Sequence, residues 1–183
     1  ETAKDTVYKA LQPAIRFTKE ECLDLPDMTY TKRFIEMTSQ QKKYYETLRK
    51  KMVMQVVGEE VTAANAAIGL NKLLQISAGA VYTDDGDTVQ FDIKNRYQAL
   101  KEVIDESSQK VLIFVPFKHV IDLLTNKLRA DGVTSEVIRG DVPAPKRTEI
   151  FARFQDQPDP QVLIIQPQAA AHGVTLTAAN TVV

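Results

Sequence analysis

With 183 residues, 44% hydrophobic and 26% charged, the chain can bury one sizeable core and is too apolar for a disordered segment. Its net charge of -1 favours no class of partner, because binding faces are local. A single cysteine, Cys22, excludes an internal disulfide and suits a reducing cytosol, and no apolar run approaches the ~20 residues of a membrane span. No signal peptide is visible. Both ends read as cut: the chain begins at Glu1 without a methionine and stops inside the apolar run Val182-Val183.

In chain order, the pattern from Thr38 to about Val57 suits a helix, with Thr38 or Ser39 as N-cap and Gly58 near its end. The basic residues around it, Lys32, Arg33, Lys42, Lys43, Arg49, Lys50 and Lys51, face only Glu36 and Glu46 and read as a solvated helix face. Thr62 to Ala78 is a second, alanine-rich helix whose apolar positions Ile68, Leu70, Leu73, Leu74 and Ile76 include i, i+3 and i+4 pairs. Val81 to Phe91 reads as a β-hairpin turning at Asp85-Gly86. Residues 1–94 are therefore expected to form a mostly helical arm and linker carrying a hairpin.

From Asn95 the pattern becomes regular. Helices at Arg96–Glu106, Lys118–Ala130 and Pro143–Phe154 alternate with strands at Lys110–Val115, Ser135–Arg139 and Gln161–Gln166, and a last strand starts near Thr181. Such alternation implies crossover connections and a parallel sheet with helices on both faces over residues 95–183, the α/β class. The turns after the strands, at Pro116-Phe117, Gly140-Asp141 and Gln166-Pro167-Gln168, should then emerge on one edge, where open α/β sheets bind their ligands. Within Gln161–Val183, small residues follow the buried strand, ending in His172-Gly173, and allow a close backbone approach.

The sequence holds neither a GxxxxGK(S/T) loop nor a GxGxxG motif, so nothing in it grips a nucleotide triphosphate firmly. Asp105-Glu106-Ser107-Ser108 resembles an acidic magnesium box but precedes a strand where such boxes follow one, so it reads as a helix end. His119 reads as a helix-face residue, and His172 has no partner at metal-ligand spacing.

The second half resembles the carboxy-terminal RecA-like lobe of superfamily-two helicases, and most closely the Swi/Snf-type DNA translocases. Lys110 to Leu124, KVLIFVPFKHVIDLL, looks like that family's motif IV strand and following helix. Arg139-Gly140-Asp141 followed by Lys146-Arg147, Ile150 and Phe154 is similar to its next block, and Gln166 to Leu176 looks like motif V, matching at Ala169, Gly173 and Leu176. In the first half, Ala14 to Lys19 and Leu25-Pro26 look like the family's basic segment ending in Leu-Pro, with Phe17 in place of an arginine and Met28 in place of a lysine. Gln41 and Tyr45 fall where the family has its Gln and Tyr pair, spaced to share one helix face.

That resemblance implies half of an ATP-driven motor, the second lobe of a DNA translocase or helicase, truncated before motif VI. ATP and Mg2+ would be held mainly by a first RecA-like lobe of the same protein, with Gly140, Asp141 and Gly173 on the cofactor side of the cleft. Gln166, Gln168 and Thr175 would contact a DNA backbone, and Arg147 would fix its own helix by pairing with Asp141 or a nearby carbonyl. Alone, the chain is expected not to turn over ATP; its compartment would be cytoplasmic, or nuclear in a eukaryote, with no membrane. Two rivals stay open at this stage: a lobe of an RNA helicase or restriction-type translocase, and a non-enzymatic α/β module that recruits a protein partner.

Overall fold

The computed structural model describes residues 2–14, 28–58, 63–83, 85–170 and 174–183, divided into two compact units at residues 1–33 and 34–183. Cys22, the basic segment at 15–19, Leu25-Pro26, and Ala171 to Gly173 lie outside the described residues. In the first unit, helix α1 (Ala3–Ala10) occupies a stretch to which the sequence reading assigned nothing. Its start is a capping box: the Asp5 amide donates to Thr2 Oγ1 at 3.4 Å and the Thr2 amide donates to Asp5 Oδ2 at 3.0 Å.

The second unit opens with helix α2 (Ser39–Gly58), whose N-cap is Thr38. Gln41, three residues on, completes a reciprocal cap: its Oε1 accepts from the Thr38 amide at 3.3 Å and its amide donates to Thr38 Oγ1 at 3.5 Å. The rest of the Gln41 side chain is buried, and Nε2 donates to the Ile76 carbonyl at 3.0 Å. Gln41 thereby ties α2 to the C-terminus of helix α3 (Ala63–Ala78). Along α3, Leu73 and Ile76 turn into the core, but Ile68, Leu70 and Leu74 stand more than half exposed. Its apolar positions thus form two ridges, of which only one packs inward. Gly79 ends α3 in the left-handed region at φ +125, closing it with bonds from its amide to Gln75 and Ile76 carbonyls.

The hairpin follows as expected. Strands β1 (Ala80–Tyr82) and β2 (Thr88–Gln90) pair antiparallel, and Gly86 supplies the positive φ that the turn requires. Thr38 Oγ1 and Gln40 Oε1 bond the backbone of Asp92, fastening the start of α2 to the segment after β2.

Beyond it the chain alternates: α4 (Lys94–Glu106), β3 (Lys110–Phe114), α5 (Lys118–Ala130), β4 (Ser135–Ile138), α6 (Ala144–Asp156), β5 (Val162–Ile165) and β6 (Ala179–Val182). The last four strands form one sheet in the order β4-β5-β3-β6, every pair parallel. Side chains alternate across it. Val111, Ile113, Val162 and Ile164 join Leu100, Ile104, Ile121 and Leu128 of α4 and α5 on one face. Leu112, Leu163 and Ile165 join Ile150 and Phe154 of α6 on the other. The fold is therefore the α/β sheet with helices on both faces that the alternation implies. Asp105-Glu106 is indeed a helix end, since α4 stops at Glu106 and Ser107 Oγ bonds the Gln109 carbonyl at 2.9 Å. Among the described residues, no helix is long and apolar enough to cross a membrane, and no group of His, Cys, Asp and Glu is placed to hold a metal ion.

His119 lies on the buried face of α5. It is 5% exposed, packs between Tyr82 and Phe117, and its Nε2 donates to the Ala80 carbonyl at 2.8 Å, so it joins α5 to the hairpin. Nδ1 is buried without a partner, which fits a neutral ring. Burial holds its pKa below the ordinary 6.5, against the opposing pull of the Ala80 carbonyl and Asp122. The unfolded chain then binds more protons than the folded one between the depressed value and about 6.5, so stability falls as pH drops through that window. Thermal melts of the wild-type chain and His119→Gln between pH 5.5 and 7.5 should show a steeper acid-side loss in the wild type. Parallel curves would mean that His119 is not the group responsible.

Candidate functional site

The C-terminal ends of β3, β4 and β5 deliver the turns at Pro116, Gly140 and Gln166 to one edge of the sheet. One side chain spans all three. Gln166, just past β5, accepts from the Gly140 amide at Oε1 (3.2 Å), and its Nε2 lies 3.5 Å from the Pro116 carbonyl, to which it donates. Its own amide donates to the Ile138 carbonyl at 2.8 Å, continuing the β4–β5 ladder to the edge. A single amide with one donor end and one acceptor end suffices to fix the spacing of the three turns.

Arg147, in the first turns of α6, forms a second clamp. Its Nε donates to the Val142 carbonyl at 2.6 Å, Nη1 to the Ala169 carbonyl at 3.0 Å and Nη2 to the Gly140 carbonyl at 3.0 Å. The fork therefore holds the Gly140 turn and the short 3-10 turn Pro167–Ala169 in one arrangement. Of the two partners the sequence allows for Arg147, the structure contains the carbonyls and not Asp141. Lysine has no such fork and cannot reproduce it.

Asp141 is engaged elsewhere. Arg139 Nε donates to its Oδ1 at 2.8 Å, Arg139 Nη1 reaches Asp122 Oδ1 at 2.6 Å, and Lys118 Nζ stands 3.9 Å from Asp141 Oδ2. Partial burial draws the Arg139 pKa down, but the bonds and charges of Asp122 and Asp141 outweigh it and raise the value, so the guanidinium is always charged. Sequence reasoning gave Lys118, Asp122 and Arg139 no role. No local spacing signals them, because Asp122 pairs with Arg139 and Lys118 with Asp141, each on a different element.

The remaining residues are less held. Gln168 lies in the 3-10 turn with its side chain exposed, and Thr175 is exposed in the segment leading to β6. Gly173 lies outside the described residues. Gly140 is not in the left-handed region, and the nearest atom to a Cβ built on it is Gln166 Oε1 at 3.9 Å, so open space adjoins its backbone. The structure thus brings Gly140, Asp141, Gln166, Gln168 and Arg147 together at one edge.

The profile of the helicase conserved C-terminal domain matches residues 95–183. This segment is a helicase carboxy-terminal lobe. An uncharacterized ATP-dependent helicase of Mycoplasma genitalium, MG018, is 25% identical over 173 residues, covering 92% of this chain and 17% of that protein. Human DNA excision repair protein ERCC-6 is 24% identical over 196 residues, covering 98% of this chain and 13% of that protein. The chain thus spans less than a fifth of the length of either relative. Among solved structures, the SWI2/SNF2 ATPase core of Sulfolobus solfataricus in complex with double-stranded DNA superposes with a TM-score of 0.71 at 21% identity, over 98% of this chain and 40% of that one. The carboxy-terminal domain of the Sulfolobus solfataricus SWI2/SNF2 ATPase shares this fold, with a TM-score of 0.69 at 19% identity over 83% of this chain and 69% of that one.

Within this lobe, removing the Arg147 fork should leave three carbonyls without their charged donor. Arg147→Ala is expected to cost about 1–3 kcal/mol in urea unfolding of the chain, and Arg147→Lys to recover only part of it. Full recovery by lysine would show that charge, and not the fork, is what the edge requires.

Proposed function

We propose that the chain is the second motor lobe of an ATP-dependent DNA translocase. Residues 1–94 lead into it as arm and linker, and residues 95–183 form one wall of an inter-lobe nucleotide cleft and part of a nucleic-acid track. One observation carries this reading: Gln166 and Arg147 bond the Pro116, Gly140 and Pro167–Ala169 turns into a single unit on one sheet edge. A unit of this kind moves as a whole, so a displacement imposed at the Gly140 side reaches the Gln168 side. Coupling of nucleotide state to a DNA contact needs that property.

The cofactor side is assigned to Gly140, Asp141 and Gly173, and the DNA side to Gln166, Gln168 and Thr175. The residues present do not make a complete site for ATP and Mg2+. The Gly140 amide and carbonyl are already bonded to Gln166 and Arg147, and Asp141 is paired with Arg139. The sequence contains no phosphate loop. The triphosphate and its metal therefore fall to a first lobe of the same protein, and this chain alone should not hydrolyse ATP. The compartment follows the DNA, cytoplasmic or, in a eukaryote, nuclear.

Because Gln166 also has a bridging role, Gln168 and Thr175 are the cleaner probes. In the intact protein, Gln168→Ala with Thr175→Ala should lower DNA-stimulated ATP turnover by about tenfold, the worth of a hydrogen bond to a charged oxygen, on DNA of any sequence and with an unchanged melting temperature. Normal stimulation in that double variant would retire the DNA role of these two residues.

A further inference from the structure

The cations at the converging turns differ in how fully they are used. Arg147 spends its fork on three backbone carbonyls. Arg139 lies between two carboxylates, at 2.6 Å from Asp122 and 2.8 Å from Asp141, with its side chain 29% exposed. Lys118 is different. Its side chain is 47% exposed and its contact with Asp141 is 3.9 Å, too long for a hydrogen bond, to a carboxylate whose other oxygen already serves Arg139. Lys118 follows directly on the Pro116-Phe117 turn, so its ammonium stands at the edge that Gln166 organises.

We propose that Asp141 is an internal competitor of nucleic acid at this edge: it occupies Lys118 loosely until a backbone phosphate takes the ammonium from it. The proposal rests on the reading of this edge as a nucleic-acid track, and it gives Asp141 a regulatory part in place of a cofactor contact. The chemistry is balanced in charge. Asp141 keeps Arg139 as its counter-ion when Lys118 leaves, and Arg139 keeps Asp122, so phosphate capture strands no charge. An exposed ion pair of this length is worth little, so exchange for a phosphate oxygen has a low cost. A phosphate also brings released counter-ions as a driving force, which the carboxylate lacks. The pair therefore sets a threshold: weak, non-productive encounters leave Lys118 with Asp141, and a backbone seated in the track displaces it.

The test is a double-mutant cycle on the intact protein, with duplex DNA binding measured between 50 and 200 mM salt. Lys118→Gln should make the slope of log K against log salt shallower by about 0.9, the loss of one phosphate contact. Asp141→Asn should raise affinity by about two- to fivefold in the wild-type background and have no effect in Lys118→Gln. Glu149→Gln, which removes a carboxylate paired with Lys146 on the exposed side of α6, is the charge-matched control and should not match the Asp141 gain. An Asp141→Asn gain that persists in Lys118→Gln, or equals that of Glu149→Gln, overturns the proposal while leaving the track intact. An unchanged salt slope in Lys118→Gln does the same. Failure of the wild-type protein to bind DNA overturns both the proposal and the reading beneath it.

Discussion

Strand β5 carries four consecutive apolar side chains, Val162, Leu163, Ile164 and Ile165, none more than 2% exposed. It is hydrogen-bonded on both sides, to β4 and to β3, in parallel. Burying side chains of this size stabilises by roughly 1.5–3 kcal/mol each, so this one strand contributes on the scale of a domain's whole net stability. The constraint reaches beyond the strand. Both faces must be covered, which puts α4 and α5 on one side and α6 on the other. Parallel pairing then sends every crossover back to the same starting edge. The turns at Pro116, Gly140 and Gln166 therefore meet as a consequence of hiding β5 from water, before any functional residue is considered.

Side chains at that edge convert proximity into a defined geometry, and they do so with polar groups whose demands are matched to backbone. Gln166 has one donor end and one acceptor end and meets one of each. Arg147 has a planar fork and meets three acceptors. Both side chains spend bonds on holding the turns together. Beside this frame the ammonium of Lys118, at the end of four rotatable bonds, stands 3.9 Å from Asp141 Oδ2.

The sheet and its helices were legible because each rests on a local signal. The apolar runs at 111–115 and 162–165, the Asp-Gly turn and the helical periodicity of 118–130 each match what the chain adopts to within a residue or two. What escaped depends on partners distant in sequence. Ile68, Leu70 and Leu74 obey helical spacing, yet spacing alone does not say which of two ridges meets a neighbour. His119 read only as a helix-face residue, because the Ala80 carbonyl to which it donates lies 39 residues earlier. Gln41, noted for its place in a motif, owes its burial to Ile76, 35 residues later. Helix α1 was missed for the opposite reason: its capping box is local, but the helix is only 8 residues long and buries none of them. At the site, the residue types were read and the bonds were not. Arg147 was left between Asp141 and a carbonyl because both lie within reach of its side chain, and only the fold decides.

Asp141 shows how that decision changes chemistry without changing sequence. On a turn beside a glycine, at an edge where ligands bind, a carboxylate reads as a contact for a cofactor. In the structure it is the second acceptor of Arg139 and the loose acceptor of Lys118, so what it can contest with a phosphate is that one ammonium. An edge that must release as well as bind has a physical use for such a group. Cations alone would hold a polyanion ever more tightly as they accumulate, whereas a carboxylate within reach of one of them gives that cation somewhere to return when the phosphate leaves.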